Sequence, residues 1–426
     1  MNIEWLELEN FRGITKTLTL PLEPDITVLA GINGSGKSSI LDALAILLSW
    51  VVARTRRAGG SGSPIPELSI NNSAGYTRIR AETRVPQGLH WQLVKTKKGH
   101  ALPKRITRLH DLSSYAKSIR NLIAETQEQW DIPLFAYYPV NRAVLDIPLR
   151  IRQSHTFGLL EAWDESLVGA ANFRHFFEWF RNREDLENEN NREKPLKSRV
   201  EDSQLAVVRK ALRIFLPEFK KLAVRRSPLR MTVRKQGEEI QINQLSDGEK
   251  CLIALVGDLA RRLAIANPQL EHPLEGEGVV LIDEIDLHLH PAWQRKVLAN
   301  LNRAFPKCQF IVSTHSPQVL GEAEARQVRL LAQDDDQRFS YSTPKQAKGL
   351  NSNEILDELM RPDGDSLIRN KETQEKLDRL FKLIDQDKFT DAKVLIAELK
   401  QQLHGDIPDI VHAESLIFML DEDEEE

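Results

Sequence analysis

The segment that most constrains the fold is residues 31–38, which read Gly-Ile-Asn-Gly-Ser-Gly-Lys-Ser and match the pattern G-x-x-x-x-G-K-[ST] without a mismatch. An apolar run, residues 26–30, precedes it, and an apolar stretch of helical character follows from residue 38 to about residue 53. A strand, a glycine-rich loop and a helix in this order form the setting that a phosphate-binding loop requires. A glycine-rich turn without a ligand is the alternative, and the complete match in its proper setting disfavours it.

The loop supplies candidate groups for binding a nucleoside triphosphate and its metal ion. Backbone N–H groups of such a loop turn toward the β-phosphate at the positive end of the following helix. Lys37 adds a mobile cation for the β- and γ-phosphates, and Ser38 adds a hydroxyl for Mg²⁺. The candidate nucleotide-binding residues of the loop are Asn33, Gly34, Ser35, Gly36, Lys37, Ser38 and Ser39.

Two further apolar runs lead to side chains suited to phosphate chemistry. Residues 278–282 end in Asp283 and Glu284, and residues 309–313 lead to His315. Continuous apolar runs of this length are typical of buried parallel strands, and ligands bind at the C-terminal ends of such strands. We therefore expect Asp283 to hold Mg²⁺, directly or through water, and Glu284 to polarise the attacking water. The alternative is a charged strand end in solvent, which the phosphate loop disfavours.

A fourth segment, residues 245–249, reads Leu-Ser-Asp-Gly-Glu and precedes a helical stretch from residue 250 to residue 263. Ser246 and the amide of Gly248 therefore lie at a helix N-terminus, which attracts anions. Ordinary helix caps have the same composition. The position of the segment, upstream of the strand that ends in two carboxylates, is what favours a phosphate-binding role over an ordinary cap.

With these segments the chain resembles the ABC-class ATPases of the RecF and SMC type, and more closely the PtuA-type ATPases of bacterial antiphage defence. The other segments that carry the resemblance are residues 6–13, 39–44, 283–291 and 314–317. It covers residues 1–50 and 240–325 with specific motifs. It implies an α/β fold, namely an ABC-type ATPase head in which antiparallel N-terminal strands join a mixed sheet with a phosphate-loop core, together with a helical insertion and a helical C-terminal domain.

The resemblance also implies a mechanism. Two subunits would enclose ATP and Mg²⁺, each ATP lying between the phosphate loop of one subunit and Ser246, Gly248 and Glu249 of the other. His315 would sense the γ-phosphate in its own subunit, and hydrolysis would need Glu284. The residue that couples ATP to the insertion stays open between the turn at residues 139–142 and Gln153.

PtuA-type ATPases work with an HNH nuclease, PtuB, and some work alongside a retron reverse transcriptase and its DNA. The resemblance therefore implies a homo-oligomer, a dimer or a multiple of dimers, that regulates a nuclease on another chain, and the isolated cysteines fit a cytoplasmic location. Two alternatives stay open. One is a RecF-like repair ATPase that binds DNA directly, and the other is an ATP-dependent scaffold or sensor that does not hydrolyse ATP.

The amino-acid composition restricts which of these functions the chain can have. The chain has 426 residues, 28% of them charged, and a net charge of −4, so the whole protein does not attract nucleic acid. Basic clusters, such as the one at residues 220–230, are candidate phosphate contacts, but ordinary solvated faces explain them equally well. We expect no membrane span, since the longest apolar run, residues 43–53, fits the helix behind the loop. Cys251 and Cys308 are isolated, which predicts buried thiols.

The sequence pattern divides the chain into four segments. Residues 1–148 form the first half of the head with the phosphate loop, and residues 149–215 form the helical insertion. Residues 216–344 form the second half of the head, and residues 345–426 form a helical interaction domain with an acidic tail.

Four shorter segments predict local structure. Residues 76–94 alternate apolar and charged side chains, which predicts antiparallel strands, and residues 222–224 and 231–233 also resemble strands. The aromatic residues within 173–180 are expected to form core rather than a base-stacking surface. The segment from Gly59 to Pro64 is expected to be a flexible loop.

Overall fold

The computed structural model describes residues 1–100, 106–127, 129–140, 158–169, 173–333, 338–360 and 370–422. These residues form two compact units, Met1–Leu350 and Asn351–Glu426. The four-segment organisation inferred from the sequence stays a prediction. Asn141, Arg142 and Gln153, the candidates for the coupling residue beyond the end of β6 defined below, lie outside the described residues.

The described residues contain thirteen strands, which occur in three sheets. They are β1 (Asn2–Glu9), β2 (Leu18–Pro21), β3 (Ile26–Ala30), β4 (Tyr76–Val85), β5 (His90–Thr96), β6 (Leu134–Tyr138), β7 (Phe219–Arg226), β8 (Leu229–Lys235), β9 (Glu238–Gln241), β10 (Gly278–Ile282), β11 (Cys308–Ser313), β12 (Val328–Gln333) and β13 (Phe339–Ser342).

Eleven α-helices occur in the same part of the chain. They are α1 (Lys37–Arg56), α2 (His110–Glu125), α3 (Phe173–Asn190), α4 (Ser203–Phe215), α5 (Asp247–Ala266), α6 (Pro291–Ala304), α7 (Pro317–Leu320), α8 (Ser352–Glu358), α9 (Lys371–Ile384), α10 (Phe389–Leu403) and α11 (Pro408–Glu422).

The central sheet has the order β13-β12-β3-β11-β10-β6, and its strands are parallel except β13, which pairs antiparallel with β12. Every residue of β3, β6, β10 and β11 is buried, which explains their continuous apolar sequences. The three strands β3, β11 and β10 are neighbours. Because parallel strands end at the same edge of a sheet, the segments that follow these three strands meet there.

A second sheet, β2-β1-β4-β5, is wholly antiparallel, and a third, β7-β8-β9, is antiparallel as well. Both contain strands that the sequence pattern predicted. The combination of a mixed phosphate-loop sheet with antiparallel N-terminal strands confirms the predicted fold class.

Helix α1 follows the loop as predicted and extends through 20 residues, to Arg56. Among the described residues it has the length and apolar composition that a membrane span needs, but 56% of that apolar stretch is buried inside the protein. Its apolar side chains pack inside the head, against β4, β6 and α2. The helix is therefore explained as the core helix behind the loop.

The aromatic residues at the start of α3 are buried, which confirms that they form core. Phe176 packs on α5, since a Cβ added at Gly257 would lie 2.9 Å from its Cζ. The buried aromatic side chains are Phe173, Phe176, Phe177, Trp179 and Phe180. Cys251 and Cys308 are buried and are not joined in a disulfide, as predicted.

The Gly-rich segment from Gly59 to Pro64 has no regular secondary structure, as predicted, and it forms hydrogen bonds to α1 that were not predicted. The indole Nε1 of Trp50 donates to the carbonyl of Ser63 at 3.0 Å, and the amide of Ser63 donates to Oγ of Ser49 at 2.8 Å. Its glycines allow this approach, because a Cβ at Gly62 would lie 2.5 Å from a backbone nitrogen of the helix.

The unit Asn351–Glu426 has its own apolar core, formed by one side of α9, α10 and α11. The helices agree with the helical character predicted for this part of the chain. The buried residues include Leu377, Leu380, Ile384, Leu395, Ile396, Leu399, Ile410, Ala413 and Ile417.

Candidate nucleotide site

The phosphate loop connects β3 to the first turn of α1. Gly36 is the N-cap of α1 and has a φ of +90°, a left-handed conformation that glycine adopts without steric cost. The cap has no side-chain hydrogen bond. The first N–H groups of a helix have no partner within the helix, so the loop and the start of α1 together present donors to an anion. Ser38 is exposed at this point and Ser39 is half-buried.

Lys37 is buried and folds over the loop. Its Nζ donates to the carbonyl oxygens of Gly31 and Ile32, both at 2.9 Å. Burial lowers the pKa of Lys37, and nearby carboxylates oppose that shift by stabilising the ammonium group. These carboxylates are Asp283, Glu284 and Asp286. The ammonium group of Lys37 therefore interacts electrostatically with the carboxylates that follow β10.

Ser313, the last residue of β11, links the two carboxylate residues at the end of β10. Its hydroxyl donates to Oδ1 of Asp283, and it accepts the backbone N–H of Glu284 at 2.8 Å. The backbone N–H of Asp283 donates to the carbonyl of Tyr138, at the end of β6. Three adjacent strand ends thus fix the backbone that carries both carboxylates.

Glu284 has a backbone φ of +46°, a region that non-glycine residues rarely occupy. Such a conformation costs roughly 1–3 kcal/mol and persists where the surrounding contacts impose it. The hydrogen bond to Ser313 is one of these contacts. Strained residues of this kind cluster at functional sites, which favours a chemical role for Glu284.

His315 lies in the turn after β11. Thr314 beside it donates through Oγ1 to Oδ1 of Asp286 at 2.5 Å and accepts the backbone N–H of Ser316 at 2.9 Å. Burial lowers the pKa of His315, and the ammonium group of Lys37 acts in the same direction. The carboxylates that oppose the shift are Asp286, Glu284 and Asp283. A neutral imidazole, able to donate one hydrogen bond, is therefore favoured near neutral pH.

A second layer of polar residues supports the start of α1. Arg12 pairs with Asp42, with Nη1 and Oδ2 2.7 Å apart, and the same Nη1 lies 3.4 Å from Oγ of Ser39. Tyr137 donates to the other carboxylate oxygen of Asp42 at 2.8 Å. Burial and Asp42 both raise the pKa of Tyr137, so its hydroxyl stays a donor. Of these residues only Ser39 was predicted to lie at the site, although Arg12 and Asp42 belong to segments that carry the resemblance.

The segment at residues 245–249 begins α5 as expected. Ser246 is the N-cap, and its hydroxyl accepts the backbone N–H of Glu249 at 3.4 Å. Gly248 packs against the segment that follows Glu284, because a Cβ there would lie 2.5 Å from the carbonyl oxygen of His288. Only glycine allows this approach, so the start of α5 and the residues after β10 form one surface.

The carboxylate of Glu249 is engaged within its own subunit. Its Oε2 accepts from the amide of Ser246 at 2.9 Å and from its hydroxyl at 2.8 Å, and its Oε1 accepts from Nζ of Lys235 at 2.6 Å. Burial raises the pKa of Glu249, but these hydrogen bonds outweigh it and the net shift is downward. The side chain therefore stays ionised and completes a capping box.

The residues near Asp286 have structural roles. Nδ1 of His290 accepts the backbone N–H of Ala292 at 3.3 Å and caps α6. Asp286 is paired with Thr314. Among the residues that the structure describes, no group of three histidine, cysteine or acidic side chains is arranged to hold a metal ion. A Mg²⁺ site built from one hydroxyl, one carboxylate and phosphate oxygens does not need such a group.

Comparison with known proteins agrees with this geometry. Residues 26–321 match the family described as "AAA domain, putative AbiEii toxin, Type IV TA system". The chain is 31% identical to the retron Vc95 probable ATPase of Vibrio cholerae serotype O1 biovar El Tor, covering 86% of this chain and 80% of the relative. It is 29% identical to the retron Ec83 probable ATPase of Escherichia coli, covering 94% of this chain and 84% of the relative.

A shorter match joins the chain to the Septu protein PtuA of Bacillus mycoides strain KBAB4, with 37% identity over 27% of this chain and 16% of that protein. These similarities confirm the predicted resemblance. The family match covers more than half of the chain, and the Vc95 relative is matched over most of its length. The chain belongs to the family of AAA-domain ATPases that includes the retron ATPases.

Proposed function

We propose that this chain binds Mg²⁺ and ATP at the edge formed by β3, β11 and β10 and hydrolyses the ATP. The observation that carries the proposal is the convergence of Lys37, Asp283, Glu284 and His315 on one site. These residues come from three separate parts of the chain. Their side chains match, in type and number, what phosphoryl transfer to water requires.

Each residue has a role that follows from its chemistry. The loop amides and Lys37 would hold the β- and γ-phosphates. The hydroxyl of Ser38 and the carboxylate of Asp283 are hard oxygen donors that fit Mg²⁺, which would neutralise phosphate charge. Glu284 would accept a proton from the attacking water. Neutral His315 would donate a hydrogen bond to the γ-phosphate.

The complete site is proposed to form between two subunits. The N-terminus of α5 offers Ser246, the Gly248 amide and the positive end of a helix dipole, a combination that attracts phosphate. Ser246 and Asp247 at the start of the helix are exposed, whereas most of the later residues of α5 are buried. ATP bound to the loop of one subunit would be enclosed by α5 of the other, and nucleotide state would then control dimerisation.

In the cell, we place this ATPase in the cytoplasm as a subunit of an antiphage defence complex. The names of the relatives, two retron ATPases and a Septu PtuA, support that assignment. The proposed partners are an HNH nuclease of the PtuB type and a retron reverse transcriptase with its DNA. The chain would regulate the nuclease through its ATP-dependent dimer.

The first test replaces Glu284 by Gln, which preserves shape and removes the base. Turnover should fall about 10²- to 10⁴-fold while ATP binding persists, so ATP-bound dimers should accumulate. Hydrolysis would be measured by phosphate release, binding by calorimetry and mass by light scattering. Glu238→Gln, on exposed β9, is the matched control and should behave as wild type.

Each other outcome has a definite meaning. Wild-type turnover in Glu284→Gln would reject the proposed base. A wild-type protein that binds ATP, dimerises and does not hydrolyse it would favour the scaffold function. Tight, ATP-dependent binding of plain duplex DNA without any partner protein would favour the repair function. A monomer at saturating ATP would reject the two-subunit site.

A further inference from the structure

An aromatic side chain from the far edge of the central sheet borders the phosphate loop. Phe339 begins β13 and pairs with Gln333, the last residue of β12, so it lies at the same edge of the sheet as the loop. The side chain is half-buried. Its ring therefore sits where β13 passes beside the loop rather than in the apolar core.

The ring packs against two glycines. A Cβ added at Gly13 would lie 3.0 Å from Cζ of Phe339, and a Cβ at Gly36 would lie 3.1 Å from Cε1. Gly36 immediately precedes Lys37, and Gly13 follows Arg12, whose guanidinium lies 3.4 Å from Oγ of Ser39. The ring thus borders the loop at the start of α1.

The order of strands indicates what passes this ring. On one side of β3 lie β11 and β10, which carry His315, Asp283 and Glu284, the groups that act on the γ-phosphate. On the other side lie β12 and β13, with Phe339. A triphosphate that lies along this edge with its γ-phosphate toward β11 and β10 would place its nucleoside on the side of β12 and β13.

We propose that Phe339 contacts the nucleobase of the bound nucleotide and selects for a nucleoside over a bare polyphosphate. This role rests on the proposed ATP site and adds its base-recognition element. A phenyl ring offers a flat apolar face to a purine. Stacking of a base on an aromatic side chain contributes roughly a 5-fold to 150-fold gain in affinity.

The test compares two ligands that share phosphates and differ in the base. The full-length chain would be titrated by calorimetry with ATP and with inorganic tripolyphosphate, both with Mg²⁺. Phe339→Ala should weaken ATP binding roughly 5-fold to 150-fold and leave tripolyphosphate binding within about twofold. Phe339→Tyr should retain ATP affinity because it keeps the ring. Tyr341→Ala, two residues along β13, is the control.

A second variant separates stacking from packing. Phe339→Leu keeps an apolar side chain against the two glycines and lacks the ring, so it should lose ATP affinity as Phe339→Ala does. Recovery of ATP affinity in Phe339→Leu would overturn the proposal in favour of simple packing. Equal losses for ATP and tripolyphosphate, unchanged ATP binding, or tighter binding of both ligands would also overturn it. Failure of the ATP site itself is distinguishable, because the wild-type chain would then bind neither ligand.

Discussion

A single buried carboxylate, Asp258 in the middle of α5, forms ion pairs with two buried guanidinium groups. It accepts from Nη2 of Arg261 at 2.8 Å, from Nε of Arg262 at 2.6 Å and from Oη of Tyr138 at 2.9 Å. Arg262 also donates to the carbonyls of Ala162 and Asp164 at 2.8 and 2.9 Å. These bonds join α5 to β6, the strand next to β10.

Asp258→Ala should therefore lower the free energy of unfolding by about 3–5 kcal/mol, the usual cost of removing one partner of a buried ion pair. That loss is a large share of the roughly 5–15 kcal/mol that stabilises a typical folded protein. Burial raises the pKa of Asp258, but Arg262 and Arg261 outweigh it and hold the pKa at about 2, against a usual value of 3.8. Because the folded pKa is the lower one, this stabilisation is present above pH 3.8 and is lost as pH falls through about 2.

Urea unfolding followed by tryptophan fluorescence would measure the effect, with Glu125→Ala, at the exposed end of α2, as the control. The double variant Asp258→Ala/Arg262→Met should recover part of the loss, because it removes one of the two unneutralised cations. A loss below about 1 kcal/mol in Asp258→Ala, the scale of one neutral hydrogen bond, would refute the reasoning. A double variant less stable than the single one would do the same.

Two further predictions follow from the site and from the C-terminal unit. The imidazole of His315 should titrate with a midpoint below pH 6.5 in NMR spectra, and Lys37→Met should raise that midpoint because a neighbouring cation is removed. A midpoint above pH 6.5 in the wild type would contradict this environment. Deletion of residues 351–426, which have their own core, should leave ATP binding intact and abolish the proposed higher assembly or the capture of the proposed nuclease partner. Light scattering would measure the assembly, and a pull-down would measure capture of the nuclease. If the truncated chain retains both, the unit only stabilises the rest of the protein.

The parts of the site that the sequence predicted are those encoded in short, contiguous patterns. The helix expected from residue 38 to about 53 extends over Lys37–Arg56, and the strand expected at 278–282 is β10. Buried parallel strands need apolar residues on both faces, and a phosphate loop needs glycines at fixed spacing. Both requirements leave a local signature.

The parts that the sequence did not predict depend on contacts between distant segments. Ser313 bonds to Asp283, 30 residues earlier, only because β11 and β10 are adjacent and in one register. A serine at the end of an apolar run gives no indication of that partner. The contacts of the segment from Gly59 to Pro64 with α1 were not predicted for a related reason, since glycines permit close packing on a helix as readily as they permit motion.

The environment of Glu249 changes how the start of α5 can meet a phosphate. A carboxylate about 4 Å from a unit negative charge is repelled by about 4 kcal/mol at an effective dielectric constant near 20, so a direct contact between Glu249 and the γ-phosphate would oppose binding. The structure turns this carboxylate toward Lys235 and the Ser246 cap. Its negative charge is thereby paired, and its position fixes Ser246. We therefore infer that Glu249 shapes the start of α5 from within its subunit, and we propose that the Gly248 amide, rather than the Glu249 carboxylate or the Ser246 hydroxyl that donates to it, would meet ATP bound to a second subunit.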